Sequence, residues 1–306
     1  MFATLIGPYP APREPLAPDD AVRGTVEELA DAGLEPINDG RGAERAATPA
    51  DSERIVAAWR LAASATDRAV KQALVGPYTL ARGAAADRIP GASPATIAES
   101  IRGTIEALAA AGCPLIEIEE PAAVDVGGDD RERRRFGDAL RTATAGLGDA
   151  VHLSLVITGG NADSIGAATI FDLPFSSYAF DLIAGPDNWR LIAEAPADRG
   201  IVCGALDPSD DAADRPELLI WAAHYAASTG GRGLVRVGLA NASSLGGLSR
   251  ERAHAKIQVL ANAAQLAATA TPDELAAAID PRAVDIRSAA MGRYTPAARN
   301  QPGRRL

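Results

Sequence analysis

Residues 93–119 read SPATIAESIRGTIEALAAAGCPLIEIE, and the change of period inside this stretch sets the fold class. Ile97, Ile101, Ile105 and Leu108 recur at helical spacing and form one apolar stripe. Ser93 is placed to cap the helix, Pro94 to start it, and Gly112 to end it in a left-handed conformation. The period then drops to two: 114–118 is a short apolar strand in which Ile116 and Ile118 face one way and Glu117 and Glu119 the other. A helix feeding directly into a buried strand is half of a crossover between parallel strands.

The same alternation extends in both directions. Strands are expected at 3–6, 34–37, 72–75, 114–118, 151–157, 178–181, 201–204 and 234–237. Helices are expected near 20–32, 51–65, 94–111, 129–146, 163–170, 187–195, 214–228 and 249–268, with a shorter one near 272–279. Eight strand–helix units over about 270 residues, with no linker, predict a single-domain α/β fold, the (β/α)8 TIM barrel. An open, doubly wound sheet is the alternative. The barrel is assigned to residues 1–281, and 282–306, rich in Arg, Pro and Ala, to a C-terminal extension.

Composition narrows the function classes. Hydrophobic residues make up 47% of the 306, enough for a substantial core. The formal charge of −10 works against binding nucleic-acid phosphates or an anionic membrane surface, so a small-molecule substrate is the expected partner. Cys113 and Cys203 stand alone, which makes neither a disulfide framework nor a CxxC site. MFATLIGPYPAP lacks the basic start and long apolar run of a signal peptide, and a cytoplasmic location is expected. Only two lysines, Lys71 and Lys256, stand beside many arginines, a bias to which no function is attached.

Polar residues gather where the strands should end, the functional face of a barrel. They include Tyr9, the run Asn38-Asp39-Gly40-Arg41, Tyr78 in GPYT, Glu117 and Glu119, Thr158 and Asn161, Asp181, Asp207, and Asn241 with Ser243. Gly, Pro, Asn and Asp are also what strand-to-loop turns require, so it is their joint placement that points to a site. Parity on 151–158 turns His152, Ser154, Val156 and Thr158 inward, with Thr158 at the mouth and His152 near the floor in a structural role.

MFATLIGPYP, GLEPINDG, VKQALVGPYTLA, AGCPLIEIEEPA, LVITGGN and LGGLSRERAHAKIQVLANAA, in this order, resemble the C-terminal catalytic barrel of the cobalamin-independent methionine synthase family over roughly residues 2 to 268. GPYT and IEIEEPA are similar to that family's GPVT and IQIDEPA. The resemblance implies a methyltransferase fed by 5-methyltetrahydrofolate. In the family a zinc ion, held by a His-x-Cys pair, a Glu and a later Cys, activates the acceptor thiol. Here Val156 and Thr158 fall at the His-x-Cys pair, Asp181 near the Glu and Ser243 near the last Cys, so no zinc is expected. Arg41 stands where the family carries a Glu that helps to hold the homocysteine amino group. Asp207-Pro208-Ser209 occupies the stretch of the family's proton-donating His, and Glu119 replaces the IDEP aspartate.

These departures imply a zinc-independent methyltransferase acting on an acceptor other than homocysteine. Glu119, Asp181 and Asp207 are the catalytic candidates. Tyr9, Asn38, Asp39, Arg41, Tyr78, Glu117, Thr158, Asn161, Asn241 and Ser243 are the binding candidates. Two other readings stay open. A ligand-binding barrel without chemistry would share the missing metal ligands, and a metal-free decarboxylase of the uroporphyrinogen decarboxylase type would need more arginines at the mouth than Arg41 and Arg82.

Overall fold

Parallel neighbours in a sheet need a crossover between them, and this chain supplies helices for it. The computed structural model describes residues 1–13, 16–83, 93–148, 150–211 and 214–269. Its strands are β1 (Phe2–Thr4), β2 (Gln72–Val75), β3 (Leu115–Glu119), β4 (His152–Ile157), β5 (Ser177–Asp181), β6 (Gly200–Leu206) and β7 (Val237–Asn241). Its helices are α1 (Pro18–Asp31), α2 (Pro49–Ala63), α3 (Pro77–Arg82), α4 (Pro94–Ala110), α5 (Asp130–Ala143), α6 (Ala167–Phe171), α7 (Asn188–Glu194), α8 (Pro216–Ser228) and α9 (Arg250–Thr269). Helix α4 forms as its sequence predicts. The Ser93 hydroxyl accepts the Thr96 N–H at 3.2 Å, Ile97, Ile101, Ile105 and Leu108 are buried, and Gly112 sits at φ +92°.

The seven strands pair in the order β1-β7-β6-β5-β4-β3-β2, every pair parallel. This corrects the expected eight-stranded barrel to a curled sheet of seven. The missing strand is 34–37. Its chain runs extended between the two sheet edges: the Glu35 N–H reaches Ala3 O at 2.9 Å and the Ile37 N–H reaches Ala69 O at 2.9 Å, while Ile37 O accepts from Lys71 N at 2.8 Å. Pro36 has no N–H to donate, so no continuous ladder forms, and Ile37 makes only an isolated bridge with Val70. The last strand also moves. Residues 234–236 form a 3-10 turn and the strand begins at Val237, which brings Asn241 into the sheet. GPYT is not a plain loop but the start of α3, with Gly76 as cap and Pro77 in its first turn. The short helix expected at 272–279 and the extension at 282–306 lie outside the described residues.

Two apolar layers result. The larger lies between sheet and helices and includes Ile116 and Ile118 of β3 together with the α4 stripe. The smaller fills the inside of the curl with Ile6, Val156, Ala179, Val202 and Ala240. Among the described residues no helix is long and apolar enough to cross a membrane.

Asn241 joins the first and last strands past the end of their ladder. Its side chain accepts the Ile6 N–H at 2.9 Å and donates to Ile6 O at 2.6 Å and Ser243 O at 2.8 Å. Asn241→Ala leaves both main-chain groups of Ile6 without these partners. It should lower the unfolding free energy in urea by about 2–3 kcal/mol, the cost of orphaned buried polar groups. A loss below about 0.5 kcal/mol would show that water replaces the amide at no cost.

Candidate functional site

The ends of β2 and β3 are locked to each other. Glu120 is fully buried, and its carboxylate accepts the N–H of Tyr78 at 2.9 Å, the N–H of Thr79 at 2.7 Å and the Thr79 hydroxyl at 2.6 Å. The Thr79 hydroxyl oxygen in turn accepts the Ala122 N–H at 3.1 Å. A Cβ at Gly76 would lie 2.2 Å from the Glu120 carboxyl carbon, so only glycine fits there. Burial pushes the Glu120 carboxyl up to about 7, against the pull of those hydrogen bonds. Sequence reading singled out both motifs and missed that they bind each other. The available signal was the Glu119-Glu120 pair, since adjacent residues leave a strand on opposite faces.

Glu119 takes the other face. Its Oε1 is buried with no hydrogen-bond partner among the described residues, as is Oε2 of Glu117. Burial first, and then the Glu117 charge, push Glu119 up to about 7, while Lys71 and the Gly7 N–H pull the other way. Lys71 is the second residue that the sequence did not disclose. Its Nζ donates to Glu117 Oε1 at 2.6 Å, with both side chains buried. Glu117 also lines a cavity of about 360 Å³ at the opposite, N-terminal end of the strands, with Thr4, Ser154, Ser177 and His152. His152 meets the Ser177 hydroxyl at 2.8 Å there, and desolvation of its ring lowers its pKa although part of the residue is exposed.

Asn38 donates to Gly7 O at 3.1 Å and accepts the Gly40 N–H at 3.0 Å, which fixes the turn carrying Asp39 and Arg41. Asp39 is buried and holds Arg41 from both main chain and side chain, with N···O distances of 2.9 and 2.8 Å. The two residues line a cavity of about 590 Å³ with Pro8, Tyr9, Thr25 and Ser244. Glu119 lies in the interior of the curl instead, and Gly7 joins the two regions: its carbonyl takes the Asn38 amide and its N–H faces Glu119.

Asp181 is buried, and its oxygens accept N–H groups from Gly159 at 3.0 Å, Ile183 at 2.9 Å and Ala184 at 2.8 Å. Desolvation raises its pKa and these bonds oppose the rise. Asn161 pairs with Asp187 through both its amide groups. Asn188, unremarked in the sequence, ties Gly160 O, Asp181 O and the Ala162 N–H together. Thr158 is half-buried beside them and Ser243 is exposed. Asp207 accepts the N–H and hydroxyl of Ser209 at 2.8 and 2.7 Å, and its carbonyl takes Nζ of the buried Lys256 at 2.8 Å.

The hydroxyls of the two tyrosines are taken up by helix carboxylates, while Tyr9 still lines the cavity beside Asp39 and Arg41. Tyr9 donates to Glu28 at 2.7 Å and lies under Arg250. Tyr78 donates to Glu132 at 2.7 Å and packs edge-on against Phe136 in the helical layer. Strand parity does not carry through a turn, which is why these rings were not placed by sequence.

The resemblance to a zinc-dependent family is tested by the donors that these positions offer. Val156 is apolar and packed among Ile6, Ala179 and Val202, and Asp181 already accepts main-chain N–H groups. As the resemblance aligns them, these two positions supply neither an imidazole nor a thiolate. Among the described residues no group of three or more His, Cys, Asp or Glu side chains is arranged to hold a metal.

No protein-family model matches the chain. It is 35% identical over 117 residues to the 5-methyltetrahydropteroyltriglutamate–homocysteine methyltransferases of two strains of Rhodopseudomonas palustris, a match over 37% of this chain and 14% of the relatives' length. A B12-independent methionine synthase from Shewanella sp. W3-18-1, solved with selenomethionine, superposes with a TM-score of 0.70 at 15% identity, over 90% of this chain and 98% of that one. A Listeria monocytogenes protein assigned as a vitamin-B12-independent methionine synthase gives 0.63 at 16% identity, over 87% and 97%. The chain is thus similar over part of its length to methyltransferases of this type, and it shares the fold of the two methionine synthase structures.

The raised carboxyl predicts a pH dependence. An acid that binds its proton more tightly when folded adds stability below its unfolded value, and that contribution is lost as pH rises through its folded value. For Glu119 the window runs from 4.5 to about 7. Urea unfolding from pH 4.5 to 7.5 should therefore show wild-type stability falling relative to Glu119→Gln. Parallel profiles would place the Glu119 titration at the ordinary carboxylate value.

Proposed function

We propose that the chain is a methyltransferase of the cobalamin-independent methionine synthase type that works without zinc. It moves a methyl group from a folate-like donor to an acceptor other than homocysteine. The observation that carries this reading is Glu119 Oε1, a buried carboxyl oxygen with no hydrogen-bond partner among the described residues, on the strand end held in place by the Glu120 lock. The relatives' names supply the donor class.

In this reading the acceptor's X–H bond breaks as its X–CH3 bond forms, and the departing nitrogen of the donor gains a hydrogen. Protonated Glu119 gives its proton to the departing nitrogen, and the carboxylate so formed takes the acceptor's proton at Oε1, which restores the acid. Asp181 and Asp207, whose oxygens are engaged by loop main chain, position the loops that frame the acceptor. Glu119 is then the proton carrier of the three. Arg41, held on one side by Asp39, offers its remaining donors to an acidic group of a ligand in the adjoining cavity.

Incubation with methyltetrahydrofolate and a panel of N–H, O–H and S–H acceptors should release tetrahydrofolate. Absence of both donor binding and turnover across the panel would overturn the reading, and donor binding without turnover would identify a binding barrel. Arg41→Ala should weaken an acidic ligand by about 1.5–3 kcal/mol, the range of a charge-assisted hydrogen bond, with little change in Tm. Unchanged affinity in calorimetry would assign Arg41 to the surface.

A further inference from the structure

Lys71, Glu117 and Glu119 place one cation and two carboxyls inside the curl. Lys71 Nζ lies 2.6 Å from Glu117 Oε1, and the two side chains are 0% and 4% exposed. Glu117 and Glu119 are two residues apart on β3 and share a face. At the level of Glu119 the neighbouring strands present Val75 and Val156, neither of which titrates. The segment after β1 presents the Gly7 N–H. Farther round the sheet, the Asp181 carboxylate is taken up by main-chain N–H groups. The charges that act on Glu119 are therefore Glu117 and Lys71.

Ionising all three would leave a net negative charge next to the apolar cluster of Ile6, Val156, Ala179, Val202 and Ala240. One bound proton makes the group neutral, and the ion pair decides where that proton sits. Glu117 already has an ammonium donor, so it keeps the charge, and Glu119, which has none, takes the proton. We propose that Lys71 and Glu117 are positioning residues, a fixed internal ion pair that keeps Glu119 in its carboxylic acid form for an incoming ligand.

A carboxylic acid donates a hydrogen bond where a carboxylate only accepts. The group meeting Glu119 is then one with a lone pair, such as a carbonyl, a ring nitrogen or an anionic oxygen, and not an ammonium. This deepens the methyltransferase reading and rests on it only for the use made of the proton.

The test is an infrared titration of the full chain with 13C-labelled glutamate. Wild type should show buried carboxylic acid absorption from Glu119 and Glu120 that persists to near neutral pH, and Glu119→Gln should remove the Glu119 share and leave that of Glu120. Glu117→Gln removes the neighbouring anion and leaves Lys71, so the Glu119 band should titrate lower by about one pH unit or more. Lys71→Met should add a further buried acid as the unpaired Glu117 takes up a proton, and Lys71→Arg should restore the wild-type profile. Where the interior variants fail to fold, proton release between pH 5.5 and 8 should exceed that of Glu119→Gln by one proton per chain. A wild type without the Glu119 share, an unmoved Glu119 in Glu117→Gln, or equal proton release would overturn the assignment. Neither donor nor acceptor is present, so a chain that passes this test and transfers no methyl group keeps the ion pair and loses the methyltransferase reading.

Discussion

Curling a parallel sheet forces every strand to end in a turn whose main-chain groups are cut off from water, and each of those groups needs a partner. In this chain the partners are short polar side chains. Asn241 completes the pairing of Ile6, Asn38 holds Gly7 and Gly40, Glu120 binds the start of α3, and Asp181 and Asn188 fasten the loops after β4 and β5. The polar residues at the strand ends are thus first a solution to main-chain satisfaction. Among the described residues few buried side-chain oxygens stand outside such bonds, and Glu119 Oε1 is one of them.

This division explains why the candidate site was only partly legible. Two-residue periodicity placed Glu117 and Glu119 inside the sheet correctly, because side-chain direction in a strand is fixed by parity. No comparable rule exists for a turn, so the bonds of the Tyr9 and Tyr78 hydroxyls to Glu28 and Glu132 were not legible from spacing. Lys71 was unreadable for another reason: a lysine beside a strand is ordinarily solvated, and only the fold shows that Glu117 lies within reach. Arg232 is a similar case. It is 2% exposed and donates to carbonyls of Ala195, Arg199 and Ala226, which closes the ends of α7 and α8.

The overall architecture was more accessible. Helix α4 followed from its stripe and its caps, and most strands from short apolar runs between helices. The error at 34–37 came from treating an apolar run as sufficient for a strand. Leu34 and Ile37 are fully buried as a strand's residues would be, but Pro36 removes a donor where a ladder would need one. Burial and pairing are separate conditions, and the sequence pattern reports only the first.

The two lysines have a consequence for how the protein meets its surroundings. Lys71 is 1% exposed and Lys256 0%, one inside the sheet and the other under the loop after β6. The folded surface therefore carries no lysine ammonium. Acetylation, ubiquitin conjugation and amine-directed crosslinking have no lysine ammonium to attack while the chain is folded, so lysine reactivity in this protein is a direct report of its unfolding.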